Sequence, residues 1–293
     1  MKSLAEQELF GRKFARRLQI LKDGLLPYLK GRIHLLEESP TGGEITPEPD
    51  SPRAYTHGDD IRYIDWNLYA RLDRLYLKTM TREEEVPALL LLDTSLSMWK
   101  PEPAKMIRAL ETAAALSDVF LSLGHRVLIV PWSNGVRGSY GPYSGENELR
   151  TVLNVLSSLK AEGVSDLKRS LRESQPESGG LATYPLVISD FLFPLNYREE
   201  IAFLATSPFA TAALQILSPE EATGSLRGNL IVTDPETGRE ETLRAGYRVS
   251  RLYRETFQEH NEKVATLFRS GGSTFHRASS TDSFESTVQA FLT

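Results

Sequence analysis

The sequence predicts an α/β protein: a doubly wound, mostly parallel β-sheet with helices on both faces, a small N-terminal α+β subdomain, and one β-hairpin inserted late in the chain. Three observations predict it. From residue 86 onward, apolar runs of strand length alternate with amphipathic segments of helix length, the pattern of successive βαβ units. The runs are continuously apolar, as in "VPALLLLD" (86–93), which suits strands covered on both faces. The first 85 residues differ in texture: a basic amphipathic stretch precedes a segment crowded with Pro, Gly and acids.

Taken in order, residues 3–22 set Leu9, Phe10, Phe14, Leu18 and Leu21 at helical spacing with Arg and Lys between them. This apolar face is expected to dock on the protein's own core, leaving Arg12, Arg16 and Lys22 in solvent; a membrane-surface helix is the rival reading. "SPTGGEITPEPDSP" (39–52) reads as an exposed loop between short strands. Residues 1–85 are therefore assigned to an N-terminal helix and subdomain, and 86–293 to the main domain. There, 86–93 is a strand and 101–124 a helix with Met106, Leu110, Ala113, Ala114, Phe120 and Leu121 on one face. "HRVLIVPWS" is a second strand, followed by helices over 146–160 and 166–174; "LATYPLVISD" is a third strand, with a helix at 196–206, and "ATAALQILS" a fourth. "GNLIVTDPETGREETLR" reads as a hairpin turning at Pro-Glu-Thr-Gly, 247–269 as a long helix, and "STFHRA" as a last strand before a final helix.

Composition limits the function classes. A chain of 293 residues, 40% of them hydrophobic, can bury one large core or a main core with an appendage. A formal charge of −5 disfavours sequence-independent attraction to phosphate backbones, so nucleic acid is not the expected partner. The chain has no cysteine, which excludes disulfides and thiolate metal sites and fits a cytoplasmic setting. No apolar run approaches the roughly 20 residues of a membrane span, and no signal peptide is expected.

The chemistry-bearing pattern lies at the strand ends. Ligands of an open parallel sheet sit beyond the carboxyl ends of its strands. Asp93 stands at such an end and opens an Asp-x-Ser-x-Ser run with Ser95 and Ser97, an all-oxygen set of the kind hard divalent cations take. The alternative is a strand-to-helix turn whose serines only cap backbone amides. Two later stretches add weight to the metal reading. "AEGVSDLKRSL" offers Ser165 and Asp166 at a helix start, and "LVISDFLF" puts Asp190 at another strand end.

Asp93, Ser95, Ser97, a hydroxyl at 165 and Asp190 resemble, in that order, the metal-ion-dependent adhesion site of von Willebrand factor A domains, a Rossmann-type fold. Upstream, "YTHGDDIRYIDWNLYARLDRLYLK" (55–78), together with "LLLLDTSLSM" and the C-terminal "LQILSPEEATGSLRGNLIVTDPETGREE", resembles the signature of the family called domain of unknown function 58, bacterial proteins with a von Willebrand A-like domain. The resemblance covers about residues 30–292. It implies Mg²⁺, with Mn²⁺ or Ca²⁺ as alternatives, held by Asp93, Ser95, Ser97, Ser165 and Asp190. It also implies a MoxR-type AAA+ ATPase as partner. One position departs from the family pattern: Ser165 stands where threonine is usual, keeping the hydroxyl and losing the methyl group that stiffens it.

Other features receive plainer readings. Asp59, Asp60 and Asp65 alternate with Arg62, Arg71 and Arg74 around Trp66, which suits a salt-bridged turn tying the subdomain to the sheet better than a second ligand site. The histidines show no paired ligand spacing. Trp99 reads as core, with a docking aromatic as the alternative. The segment "WSNGVRGSYGPYSGE" (132–146) is expected at the same sheet edge as Asp93, offering Arg137 as part of a rim. Phosphate-binding Gly-rich loops and Gly-x-Ser-x-Gly elbows are missing from the sequence. The expected function is non-enzymatic, a carboxylate on another protein being captured through Mg²⁺. The alternative is a metal-dependent phosphohydrolase using Asp93, although Ser95 stands where such enzymes carry a second aspartate.

Overall fold

Six strands form the central sheet of this computed structural model, which describes residues 9–29, 74–75, 87–100, 103–177, 184–193, 211–224, 227–270 and 273–292. They are β1 (Ala88–Asp93), β2 (Val127–Trp132), β3 (Tyr140–Tyr143), β4 (Tyr184–Ser189), β5 (Ala212–Leu217) and β8 (Thr274–Ser279), in the spatial order β3-β2-β1-β4-β5-β8. All neighbours run parallel except β3, which is antiparallel to β2. The mostly parallel, doubly wound sheet expected from the sequence is therefore present.

The sheet is central because its strands are apolar on both faces. Every residue of β1 and β2 is buried. On one face of the sheet, Leu90, Leu92, Ile129, Ile188, Leu214 and Ile216 share one core with residues of α1 (Arg12–Leu29), α3 (Ala104–Ser122), α4 (Leu149–Ser158) and α8 (Phe284–Leu292). On the other, Leu89, Leu91, Leu128, Val130 and Val187 share a second core with Leu167 and Leu171 of α5 (Leu167–Glu177) and with Val264, Leu267 and Phe268 of α7 (Tyr247–Ser270). Adjacent leucines of β1 thus serve opposite cores, as the two-residue period of a strand requires.

The helix α3 is the main layer over β1. It follows Pro103, is rich in alanine, and stops in a Schellman arrangement in which His125 N donates to Phe120 O (3.0 Å) and Gly124 N to Leu121 O (3.2 Å). Gly124 supplies the left-handed φ of 91° that this stop needs. A short helix α2 (Leu96–Trp99) lies between β1 and α3.

The N-terminal helix runs from Arg12 to Leu29, later than the 3–22 expected. Phe14, Leu18, Leu21, Leu25 and Leu29 form its buried face. Arg12 and Arg16 are exposed as expected, but Lys22 is buried against Asp118 (3.2 Å), a correction that follows from the helix packing on α3. Arg17 makes a two-pronged contact with Glu285 in the first turn of α8, both distances 2.6 Å. The chain divides into two units, Met1–Pro40 with Val86–Thr293, and Thr41–Glu85. The helix belongs to the first of these units, its apolar face docked on the core as expected. The Gly58-Asp59-Asp60 stretch, Trp66 and the helix expected at 196–206 lie outside the described residues.

The segment 132–146 corrects a second expectation. Its latter half is β3, which turns back along β2, with Tyr143 opposite Val127, so only its first residues stay at the carboxyl edge. Gly141 and Pro142 inside so short a strand hid it; proline is tolerated there because the strand is an edge. The hairpin β6 (Gly228–Thr233) and β7 (Glu240–Ala245) forms a separate two-stranded sheet, and the short helix α6 (Pro219–Thr223) precedes it.

Candidate functional site

From β1 the chain proceeds to β2 on one side and later to β4 on the other, so the carboxyl ends of β1 and β4 flank the topological switch point of the sheet. Leu92 is level with Ile188, which brings Asp93 beside Ser189 and sets Asp190 at the same edge. Asp93 is fully buried, with Oδ1 accepting from Ser95 N (2.9 Å) and Oδ2 from the Ser189 hydroxyl (2.6 Å). Both donors are neutral. Burial, and then the nearby charge of Asp190, push the Asp93 carboxyl up to about 7, against the pull of the Ser189 and Ser95 bonds.

The serines do not behave as caps. Ser95 is the N-cap residue of α2, yet its side chain makes no capping bond; its hydroxyl lies 3.0 Å from that of Ser97. Asp93, Ser95 and Ser97 therefore gather three side-chain oxygen groups in one turn, and the capping alternative raised by the sequence is not what this loop does.

The loop carrying Ser165 is stitched to this turn through the backbone: Glu162 N donates to Thr94 O (2.8 Å), and Leu96 N to Gly163 O (3.1 Å). Gly163 has φ of 77°, and a Cβ there would meet Arg137 Nη2 at 3.0 Å. Arg137, expected as part of a rim, braces the loops, donating from Nε to Ser133 Oγ (2.7 Å) and pairing with Glu162 at 3.5 Å. Trp99 packs partly buried against the core. The Ser165 hydroxyl donates to Glu236 Oε1 at 2.8 Å, and its amide lies 3.2 Å and 3.3 Å from the two carboxylate oxygens.

Asp190 has its own cation. Lys105, near the start of α3, donates to Asp190 Oδ2 (2.8 Å) and to Glu221 Oε1 (2.5 Å), with only 3% of its side chain exposed. Burial alone would push the Lys105 ammonium down, but the charges of Asp190 and Glu221 outweigh it and hold it above its ordinary value. Glu221 also closes a capping box with Ser218 in α6. Leu192 N donates to Asp190 Oδ1 (3.1 Å), and Gln215 Nε2 to the Asp190 carbonyl (2.9 Å). The next residue, Phe191, sits at φ of 52°, rare for a non-glycine. Its buried ring, 5.3 Å from that of Phe268, and the His260 Nε2–H donated to its carbonyl (2.6 Å) hold this conformation.

The structure thus brings Asp93, Ser95 and Ser97 together, sets Asp190 close by with a lysine on it, and sets Ser165 under a glutamate. Among the described residues no group of three or more His, Cys, Asp and Glu is placed to hold a metal, and a centre built here depends on hydroxyls beside two acids. That donor set suits a hard cation: a buried carboxylate met only by neutral donors, beside a second carboxylate, is relieved by positive charge. Sequence reasoning did not single out Ser189, Lys105, Glu221 or Glu236. Ser189 was within reach, being adjacent to Asp190 in a strand-end "ISD"; nothing in the local sequence marks Lys105.

Comparison with known proteins bears on the lineage. Residues 51–265 match the family described as "Protein of unknown function DUF58". Uncharacterized proteins of Mycobacterium bovis and Mycobacterium tuberculosis are 27% identical over 203 residues, 65% of this chain; the match spans 61% of their own length. Among solved structures, the conserved hypothetical protein BatB of Bacteroides thetaiotaomicron is similar over 71% of this chain and 97% of its own, at 12% identity and a TM-score of 0.44. The vWF domain of the type V pili tip protein Mfa5 of Porphyromonas gingivalis is similar over 70% of this chain and 94% of its own, at 12% identity and 0.36. With a family match that spans the main strands and the Asp93, Ser165 and Asp190 loops, the chain belongs to the DUF58 family.

Proposed function

We propose that this edge of the sheet is a metal-dependent protein-binding centre without catalytic chemistry, which takes a carboxylate from another protein. Asp93, Ser95 and Ser97 would hold the ion, with Ser165 and Asp190 completing its surroundings, Asp190 through water because both of its oxygens already have donors. Bound Mg²⁺, or Mn²⁺ or Ca²⁺ in its place, supplies a positive charge with an exchangeable coordination position. The observation that carries this reading is the buried Asp93 carboxylate, beside Asp190 and opening a turn with two serine hydroxyls bonded to each other. The partner we propose, on the strength of the family resemblance, is a MoxR-type AAA+ ATPase or its client, in the cytoplasm. No described helix is long and apolar enough to cross a membrane.

The test is a metal titration of stability. Millimolar Mg²⁺ or Mn²⁺ is expected to raise the melting temperature of the wild type and to leave Asp93→Ala, still folded, unshifted. Because the ion takes the ionised carboxylate, binding below pH 7 is expected to release protons, read by calorimetry in buffers of different ionisation enthalpy. An unchanged melting curve up to about 10 mM metal, on the scale of a weak site, counts against the proposal. Release of phosphate from p-nitrophenyl phosphate, abolished by Asp93→Asn, would establish the phosphohydrolase reading instead.

A further inference from the structure

The contact between Ser165 and Glu236 joins residues 71 positions apart, and neither residue's local structure requires it. Glu236 sits at the tip of the β6–β7 hairpin, in a turn built around Asp234. The Asp234 carboxylate accepts from Glu236 N (2.9 Å), Thr237 N (3.4 Å) and Thr237 Oγ1 (2.6 Å), while Gly238 N donates to Asp234 O (2.8 Å). This fixes the turn's backbone internally and leaves the Glu236 side chain to reach outward. Glu236 and Pro235 are half-buried, whereas the turn's other flank, from Thr237 to Glu241, is exposed.

The rest of the hairpin is weakly held. Among the described residues it pairs only with itself, and Ile231 and Val232 are 69% and 44% exposed. Ala245, at its base, is its one buried residue. A lone two-stranded hairpin is marginal in water, so its placement depends on what fastens its two ends. At the base that is Ala245; at the tip it is the Glu236 carboxylate on Ser165.

We infer that Glu236 is the site's own tethered acid: the hairpin lays its carboxylate beside the metal-binding turn, in the place an incoming carboxylate takes, and a partner binds by displacing it. This inference rests on the function proposed above and adds to it the regulation of the site and the form of its ligand, an acidic residue at the tip of a tight turn. The rival explanation is that Glu236 only staples the hairpin to the domain.

The full-length chain, its Glu236→Ala variant and the milder Glu236→Gln, with Mn²⁺ as probe metal and acetate as probe acid, separate these. Water-proton relaxation by bound Mn²⁺ reports how many coordination positions exchange with solvent. Both variants are expected to show higher relaxivity than the wild type, and acetate to lower it at about tenfold lower concentration, the factor one hydrogen bond to a charged group is worth. Amide exchange across 228–245 is expected to quicken in both. If Mn²⁺ binds all three proteins with equal relaxivity and equal acetate sensitivity, or exchange in the hairpin is unchanged, the tethered-acid inference falls and the proposed function stands. If Mn²⁺ binds none of them, the proposed function falls and takes this inference with it.

Discussion

Asp93 shows how a single side chain can work against the fold that holds it. An unfolded chain releases the proton of an aspartate near pH 4, whereas in the folded protein burial and Asp190 keep Asp93 protonated up to about 7. Between those values the folded state binds more protons, so this group's contribution to stability falls as pH rises through the window. Asp93→Asn removes the charge and keeps the shape. In chelator at pH 8 it is expected to be more stable than the wild type, by on the order of 3 kcal/mol, and to lose any Mg²⁺ shift; denaturant melts at pH 5 and pH 8 check both. Lys105 is the opposite case. Lys105→Ala leaves Asp190 buried without its ammonium and is expected to cost about 3–5 kcal/mol at pH 7, read from the same melts.

At the scale of elements, the strands were legible and their accessories less so. Four parallel strands announced themselves as continuous apolar runs, because burial on both faces leaves no polar alternation to confuse them. The edge strand β3 has half its length as Gly-Pro, which carries no strand signal. The first helix was placed early because Leu9 and Phe10 continue its apolar stripe beyond its start at Arg12. Lys22 looked solvated because its partner, Asp118, lies 96 residues away on another helix. In the same way Asp93, Ser95, Ser97 and Asp190 could be picked out by their place after strands, while the lysine on Asp190 and the glutamate on Ser165 are products of tertiary packing alone. The helix's docking gives a prediction of its own. Leu18→Ala is expected to destabilise by about 2–5 kcal/mol, and the intact chain is not expected to sediment with anionic liposomes, because the apolar face is occupied by α3 and α8.

For the whole molecule, strand order decides where function can sit. The chain leaves β1 toward β2 and β3, then crosses to β4 on the other side, and the loops after β1 and β4 part at that reversal. Residues far apart in sequence reach one place without any strand bending toward it. Rigidity should follow the same map. Among the described strands, amide exchange is expected to be slowest in β1, β2 and β4, which are buried among helices on both faces, and fastest in the β6–β7 hairpin, whose exposed strands pair with each other and with no other described strand. Mass-spectrometric exchange on the full chain checks this ranking directly.

The hairpin's attachment also sets a threshold on rivals. A ligand tied to its site by a short stretch of chain acts there at a local concentration on the order of millimolar, whatever the concentration of protein. Glu236 is bound to Ser165 on those terms. Small acids in solution at lower levels would lose that competition, however well each fits. On the function and tether proposed above, a partner prevails only by bringing a second area of contact, and the strap would make the site deaf to metabolites and responsive to surfaces.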